Sequence, residues 1–308
     1  MVTTRGEGRK PPSGLDALTV SPIIAFRMTT WKIVITGCGT SHGNPLWGFP
    51  SEWSTDPRDR RRRSGAMIFG SQGQVVLIDT GPDLLHQLRD PYADWDGISY
   101  PARAVERCDG VLLTHCHADH SHGLNELRHL NRLMRRSADG QRHAIPIHGH
   151  PEHVAELRSM FPYCFGDGTA GGHAYGAPAL RPVEVTDGVP FAIVGLQVVP
   201  VALSHGPAGR TTGFRCGNLA YLTDLKECPE ASLPLLQNLD LLILDMLREE
   251  PHPTHLCWSE AQELIDRLRP GRTVLTHMGP EVQFAAWAGR LPPGVEMAVD
   301  GWQASFDP

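Results

Sequence analysis

Apolar residues in this chain come in short runs, separated by clusters of glycine, proline and polar residues. Runs of that length between turn formers read as strands. Lys32–Thr36, Gly65–Phe69 and Val75–Asp79 come first, the last two joined by a glycine-bounded turn at Gly70–Gly73. Gly110–Thr114, Ile145–His148, Phe191–Val194, Leu196–Leu203, Thr212–Arg215 and Leu219–Leu222 follow, then Leu241–Asp245, Thr273–Thr276, Glu296–Val299 and Gln303–Phe306. Helical spacing appears from Thr80-Gly81-Pro82-Asp83 to Arg89, from about Leu124, over Pro151–Met160, at Glu230–Leu236 and over Ser259–Leu268. Each half mixes antiparallel hairpins with buried strands that alternate with helices. Such a mixture suits two mixed sheets packed face to face with helices outside. No internal repeat or linker interrupts it, so residues 29–308 read as one domain and residues 1–28 as a disordered tail.

The 308 residues include 32 glycines and 26 prolines, which argues against helical bundles, coiled coils and solenoids. No apolar run approaches the ~18–20 residues of a membrane helix. A cytoplasmic protein without membrane contact is expected. The formal charge of −6 gives no general attraction for nucleic acid backbones. Seven scattered cysteines with no Cys-x-x-Cys pair fit neither a disulfide framework nor a tetrathiolate zinc site.

Histidine is the unusual residue, with 16 copies. Four chemistry-bearing residues fall in Thr114-His115-Cys116-His117-Ala118-Asp119-His120, at the end of a buried strand. Side chains alternate along an extended chain, so His115 and His117 point the same way and can hold one metal ion. Asp119 and His120 lie where the chain turns toward a helix and can hold a second. Three later strands end in further donors: His205 after Val199–Leu203, Asp224 after Leu219–Leu222 and His277 after Val274–Leu275. They complete two ligand sets, with Asp224 able to bridge. Zn²⁺ and Mn²⁺ both accept such nitrogen and oxygen donors. Two divalent ions per chain are therefore expected.

This pattern resembles the metallo-β-lactamase superfamily. Within it the chain is similar to the phosphodiesterase branch that includes the PhnP-type phosphoribosyl 1,2-cyclic phosphate phosphodiesterases. The supporting segments are Gly37–Pro45, Asp56–Ser64, Leu77–Asp83 and His252–Leu256. The resemblance runs from about Trp31 to Asp307. It implies a four-layer αββα sandwich with a binuclear site at one sheet edge, and hydrolysis of a small cyclic phosphodiester by a metal-bridging hydroxide. It also implies a proton-donating role for His255 toward the leaving group, a catalytic ligand in Asp119, and a supporting role for Asp79 in ordering the metal loop. Asp245 reads as a similar support or a turn residue, and His252 as a structural neighbour.

Two departures stand out. Trp47–Trp53 lacks the cysteines with which some relatives bind a structural zinc, and Gly279-Pro280 replaces a Ser-His that many carry after the last metal histidine. Arg58, Arg60, Arg61, Arg62 and Arg63 read as a solvated loop with one or two arginines paired to acids. His42 is a candidate border of the site. His143, His148, His150, His153 and His173 read as non-ligands, and Trp47, Phe49 and Trp53 as packing residues. Competing readings are a tRNA 3′-processing endonuclease, a thioester hydrolase and a non-catalytic metal-binding accessory protein. A small-molecule phosphodiester as partner fits best. A homodimer is compatible with it, and nucleic acid is disfavoured.

Overall fold

The computed structural model describes residues 30–48, 54–90, 105–134, 144–165 and 176–308. Residues 1–28, read above as a tail, lie outside them, as do Phe49, Trp53, His143 and His173. Among the described residues two seven-stranded sheets form. The first contains β1 (Trp31–Gly37), β2 (Gly65–Gly70), β3 (Val75–Ile78), β4 (Gly110–Leu112), β5 (Ile145–Gly149) and β6 (Leu180–Glu184). The second contains β7 (Phe191–Ile193), β8 (Leu196–Ser204), β9 (Arg210–Cys216), β10 (Leu219–Leu222), β11 (Leu241–Asp245), β12 (Arg272–Thr276) and β13 (Val295–Met297). The last strand, β14 (Gln303–Phe306), returns to the first sheet beside β1. β1, β2 and β3 pair antiparallel, whereas β3, β4, β5 and β6 run parallel. In the second sheet β7 to β10 are antiparallel and β10 to β13 parallel.

Period-two alternation explains the layering. Val76 and Ile78 join Ile33, Ile35 and Ile68 in a cluster with Val198, Val201, Phe214 and Tyr221 of the opposite sheet. Their neighbours Val75, Leu77 and Met67 point the other way. There they meet Leu84 and Leu88 of α1 (Leu84–Arg89), Leu127 and Leu130 of α3 (Leu127–Met134) and Leu157 of α4 (Pro151–Met160). A short helix, α2 (Ala118–Ser121), precedes α3. Strands covered on both faces become continuously apolar, as these are. On the far side, α5 (Trp258–Leu268) presents Ala261, Leu264 and Leu268 to the second sheet. The result is the expected αββα sandwich.

Some elements differ from expectation. Glu230–Leu236 yields only a 3₁₀ turn at Leu233–Leu236, since Pro234 removes a helical donor. β6 was not foreseen because Arg181, Pro182 and Glu184 break its apolar pattern; it is an edge strand, where proline is tolerated. The short helix α6 (Phe284–Trp287) was also missed. Trp47, read as packing, is 98% exposed. No helix of the described residues is long and apolar enough to cross a membrane.

Strand direction places the functional end. β8 is antiparallel to β9, which is antiparallel to β10, so β8 runs with β10, β11 and β12. All four deliver their C-terminal residues to one edge, as β3 and β4 do in the opposing sheet.

Candidate metal centre

Every residue singled out as a ligand stands just beyond one of those strand ends. His115 and His117 follow β4, and Asp119 and His120 ride on α2. His205, Asp224 and His277 follow β8, β10 and β12. Three residues here have left-handed backbone: Asp79 at φ 64°, Asp224 at φ 53° and His277 at φ 58°. Non-glycine residues rarely hold that conformation, and it cants these side chains off the strand axis at the sheet edge. The loop after β3 is closely fitted to α2. Thr80 N donates to His120 O at 2.7 Å, and a Cβ on Gly81 would stand 2.0 Å from Asp119 O, so only glycine fits.

The donor atoms converge in two groups that share Asp224. Those of His115, His117, His205 and Asp224 all lie within 4.8 Å of one another, and so do those of Asp119, His120, Asp224 and His277. His120 Nε2 lies 3.1 Å from both Asp119 Oδ2 and Asp224 Oδ2. His277 Nε2 is 3.4 Å from Asp224 Oδ1, and His205 Nε2 is 3.7 Å from it. His117 is exposed; the other six are buried.

The outer nitrogens of three of these rings, His115, His120 and His205, are held by hydrogen bonds, whereas His277 Nδ1 is buried without one. His120 Nδ1 donates to Asp79 Oδ2 at 2.7 Å, and His205 Nδ1 to the Thr254 carbonyl at 2.7 Å. Thr114 Oγ1 donates to Asp79 Oδ2 at 2.8 Å, which leaves it to accept from His115 Nδ1 at 3.0 Å. A histidine whose Nδ1 donates has its lone pair on Nε2, the tautomer that binds a metal. Accordingly His115 Nε2, His120 Nε2, His277 Nε2 and Asp119 Oδ2 are buried without a hydrogen-bond partner. Buried polar atoms are almost always satisfied, so four aimed at one place fit a divalent cation.

Electrostatics agree. Burial pulls the His120 imidazole down, but Asp224, Asp119 and Asp79 overcome it and hold it well above the usual histidine range. His277 behaves likewise: burial lowers it, Asp224 and Asp119 raise it, and it reaches about 9. His115 is pushed well below its ordinary value by burial and by His120. Burial raises the Asp224 and Asp119 carboxyls, yet His120 draws both well below the usual range. The carboxylates thus pull positive charge to the space between the rings.

His255 lies at the same edge and is buried. Its Nδ1 donates to Asp245 Oδ2 at 3.1 Å, and its Nε2 is 4.0 Å from Asp224 Oδ1. Asp245 also accepts from Leu225 N at 3.1 Å, so it is a hydrogen-bonding support and not a turn residue. His252 accepts from the hydroxyl of Thr254 at 3.1 Å. Pro253 O, in the same segment, packs where a Cβ on Gly206 would come within 2.2 Å. Sequence reasoning missed Thr114 and the Thr254 carbonyl. The threonine before the first histidine was visible, but the direction of its hydrogen bonds was not.

The arginine run is more structural than expected. Arg58 pairs with Asp56, Arg61 with Asp59, Arg62 with Asp300 and Arg63 with Asp83. Arg61 is buried and also donates to the Gly279 and Val282 carbonyls. Arg60 to Arg63 and His42 line a cavity of about 440 Å³ to which none of the seven candidate ligands contributes.

Residues 74–278 match the family model described as the beta-lactamase superfamily domain. The chain belongs to the beta-lactamase superfamily. A solved diphosphatase of the PhnP family superposes with a TM-score of 0.76 at 31% identity, over 90% of this chain and 97% of that one. This places the chain beside the PhnP family within the superfamily, as the sequence motifs implied. The octanoyltransferase of Porphyromonas gingivalis (strain ATCC BAA-308 / W83) is 28% identical over 281 residues, which are 90% of this chain and 52% of that protein. The ribonuclease Z of Bradyrhizobium sp. (strain ORS 278) is 32% identical over 137 residues, 44% of this chain and 40% of that protein. The chain spans about half or less of the length of these two curated relatives.

Proposed function

We propose that this chain is a hydrolase of small phosphodiesters that works with two divalent ions. His115, His117, His205 and Asp224 would hold one ion, and Asp119, His120, Asp224 and His277 the other. The observation that carries this reading is the pair of donor groups sharing Asp224, with unpartnered buried Nε2 atoms aimed between them. Such ions supply an activated water at neutral pH and neutralise phosphoryl oxygens. The donors are nitrogen and oxygen only, which suits Zn²⁺ or Mn²⁺.

The protein's own residues do the rest. Asp79 and Thr114 fix the tautomers of His120 and His115. Asp245 holds His255 by its Nδ1 proton and so directs Nε2 to the cleft. There the ring is placed to give a proton to a departing alkoxide. Such a group matters most for an ester oxygen, which leaves as a strong base.

The PhnP-family relative is a diphosphatase, which favours a second reading, cleavage of a diphosphate. The test compares a ribose cyclic phosphate, a 2′,3′-cyclic nucleotide, a dinucleoside diphosphate, a tRNA precursor and an acyl thioester, with and without chelator. Chelator-sensitive turnover fastest on a small phosphodiester is the expected result. Preference for the diphosphate supports the second reading. Turnover confined to tRNA or thioester, or none on any substrate, overturns both.

A further inference from the structure

Cys116 stands between His115 and His117 but belongs to a different environment. Alternation along the chain turns its side chain away from theirs, toward α4 and the cluster outside the first sheet. Its Sγ donates to the His153 carbonyl of α4 at 3.0 Å. One turn along that helix lies Glu156, the i+3 neighbour of His153 on the same face. A donor atom from each of Cys116, His153 and Glu156 lies within 4.8 Å of the other two.

His153 gives this group its meaning. His153 is 6% exposed, yet neither Nδ1 nor Nε2 makes a hydrogen bond of good geometry; the Arg210 backbone is the polar group nearest to offering one. An imidazole normally satisfies at least one ring nitrogen when buried, by protein, water or metal. Cys116 is equally buried, while Glu156 is exposed, so the group opens to solvent on the carboxylate side. Thiolate, imidazole and carboxylate are a donor set for zinc, with water as the fourth ligand.

We propose that Cys116, His153 and Glu156 form a further, thiolate-containing divalent metal site, selective for Zn²⁺-like ions. It is separate from the two donor groups around Asp224 and does not depend on them. On binding, the Cys116 thiol proton leaves to solvent and its sulfur turns from the His153 carbonyl to the ion. The ion then ties α4 to the segment that carries His115 and His117, whose ring centroids lie 6.4 Å (His115–His153) and 4.5 Å (His115–His117) apart along that path. The site therefore braces the metal-binding loop from behind.

Cobalt tests this cleanly, because a thiolate–Co²⁺ pair gives a near-ultraviolet charge-transfer band that nitrogen and oxygen donors do not. The full chain titrated with Co²⁺ is expected to show the band and to take up about one ion more than Cys116→Ser, which should lack the band. His153→Gln should weaken Co²⁺ binding at this site by ~10–100-fold. Glu156→Gln, at an exposed position that leaves folding intact, should also weaken it. Asp119→Asn, which damages only the other centre, should keep the band. No band in the unmodified chain overturns the proposal. So does a band that persists in Cys116→Ser, or one indifferent to both His153→Gln and Glu156→Gln. A band lost in Asp119→Asn but kept in His153→Gln would assign Cys116 to the main centre instead, and also overturns it.

Discussion

Replacing Asp79 by Asn should weaken both ions at once, although Asp79 is a ligand to neither. The carboxylate receives three hydrogen bonds, from Thr114 N at 2.8 Å, Thr114 Oγ1 at 2.8 Å and His120 Nδ1 at 2.7 Å. An asparagine can keep the bond from Thr114 N with its carbonyl oxygen. Its NH₂ then faces the other two groups, both of which were donating. His120 must turn its Nδ1 into an acceptor, which moves the ring proton to Nε2, the atom between Asp119 and Asp224. Thr114 Oγ1 must accept from the new amide, so its own proton points to His115 Nδ1 and drives that ring's proton to Nε2 as well. One exchange of oxygen for NH₂ thus reverses an imidazole in each donor group. The backbone gives little resistance, because asparagine tolerates the left-handed conformation that Asp79 holds. Losing such an orienting partner costs ~10–100-fold in metal affinity, or about 1.4–2.7 kcal/mol per ion. Competition against a chromogenic chelator reads both affinities. Thr114→Val is the control: it breaks only the path to His115 and should weaken one ion. Wild-type affinity for both ions in Asp79→Asn would falsify the orienting role, and loss of only one would rule out the relay through Thr114.

Other expectations follow from the same geometry. His255→Ala should keep its metals and lose ~10²–10⁴-fold in kcat on an alkyl or ribose phosphodiester, with a clearly smaller loss on a nitrophenyl diester; equal losses would leave only a positioning role, and lost metal would make it a ligand. Asp119→Ala should drop the metal content by about one ion per chain and Asp224→Ala by about two, as read by elemental analysis; equal stoichiometries would contradict a shared Asp224. His148 offers a stability test away from the centre. Burial, aided by Arg181, lowers its pKa to about 4, and its ring stacks on Phe191 with centroids 4.9 Å apart. The unfolded chain takes up this proton near pH 6.5 and the folded one only near 4, so stability is full above 6.5 and falls as pH drops through that window. His148→Phe, compared with the parent by urea melts of chelated protein, should lose about 2 kcal/mol less between pH 7 and 4.5; identical acid losses would show that His148 is not held neutral.

Much of the centre was legible because each donor ends an apolar run, and a run of known direction carries its last residue to a known edge. His205, Asp224 and His277 lie 85, 104 and 157 positions beyond His120 in the sequence, and strand order brings them together; Asp119 and His120 were placed by the turn into a helix. What stayed hidden depends on contacts that composition does not encode. Arg61 looked like one more solvated charge in a run of arginines. It is buried because Asp59 folds onto it, while carbonyls from Gly279 and Val282, more than two hundred positions away, accept from its two Nη atoms. His153 looked like an ordinary histidine of a loop-rich region; only its place on α4 shows a buried ring opposite Cys116 with no well-formed hydrogen bond.

The same contacts give a physical account of the departure at Gly279-Pro280. Gly279 N donates to Leu247 O at 2.7 Å, and a Cβ at that position would stand 3.0 Å from the same oxygen and 2.5 Å from the Glu281 carboxylate. Leu247 N in turn donates to Leu256 O, beside His255. The segment after His277 is therefore packed against Leu247, just beyond β11, whose own partner Leu256 neighbours His255, and Arg61 holds it there through the Gly279 and Val282 carbonyls. A serine at 279 would turn the Glu281 side chain aside and shift the Leu247 carbonyl by a few tenths of an ångström, on the segment hydrogen-bonded to Leu256 beside His255. A residue larger than glycine at 279 therefore bears, through Leu247 and Leu256, on the spacing between His277 and His255.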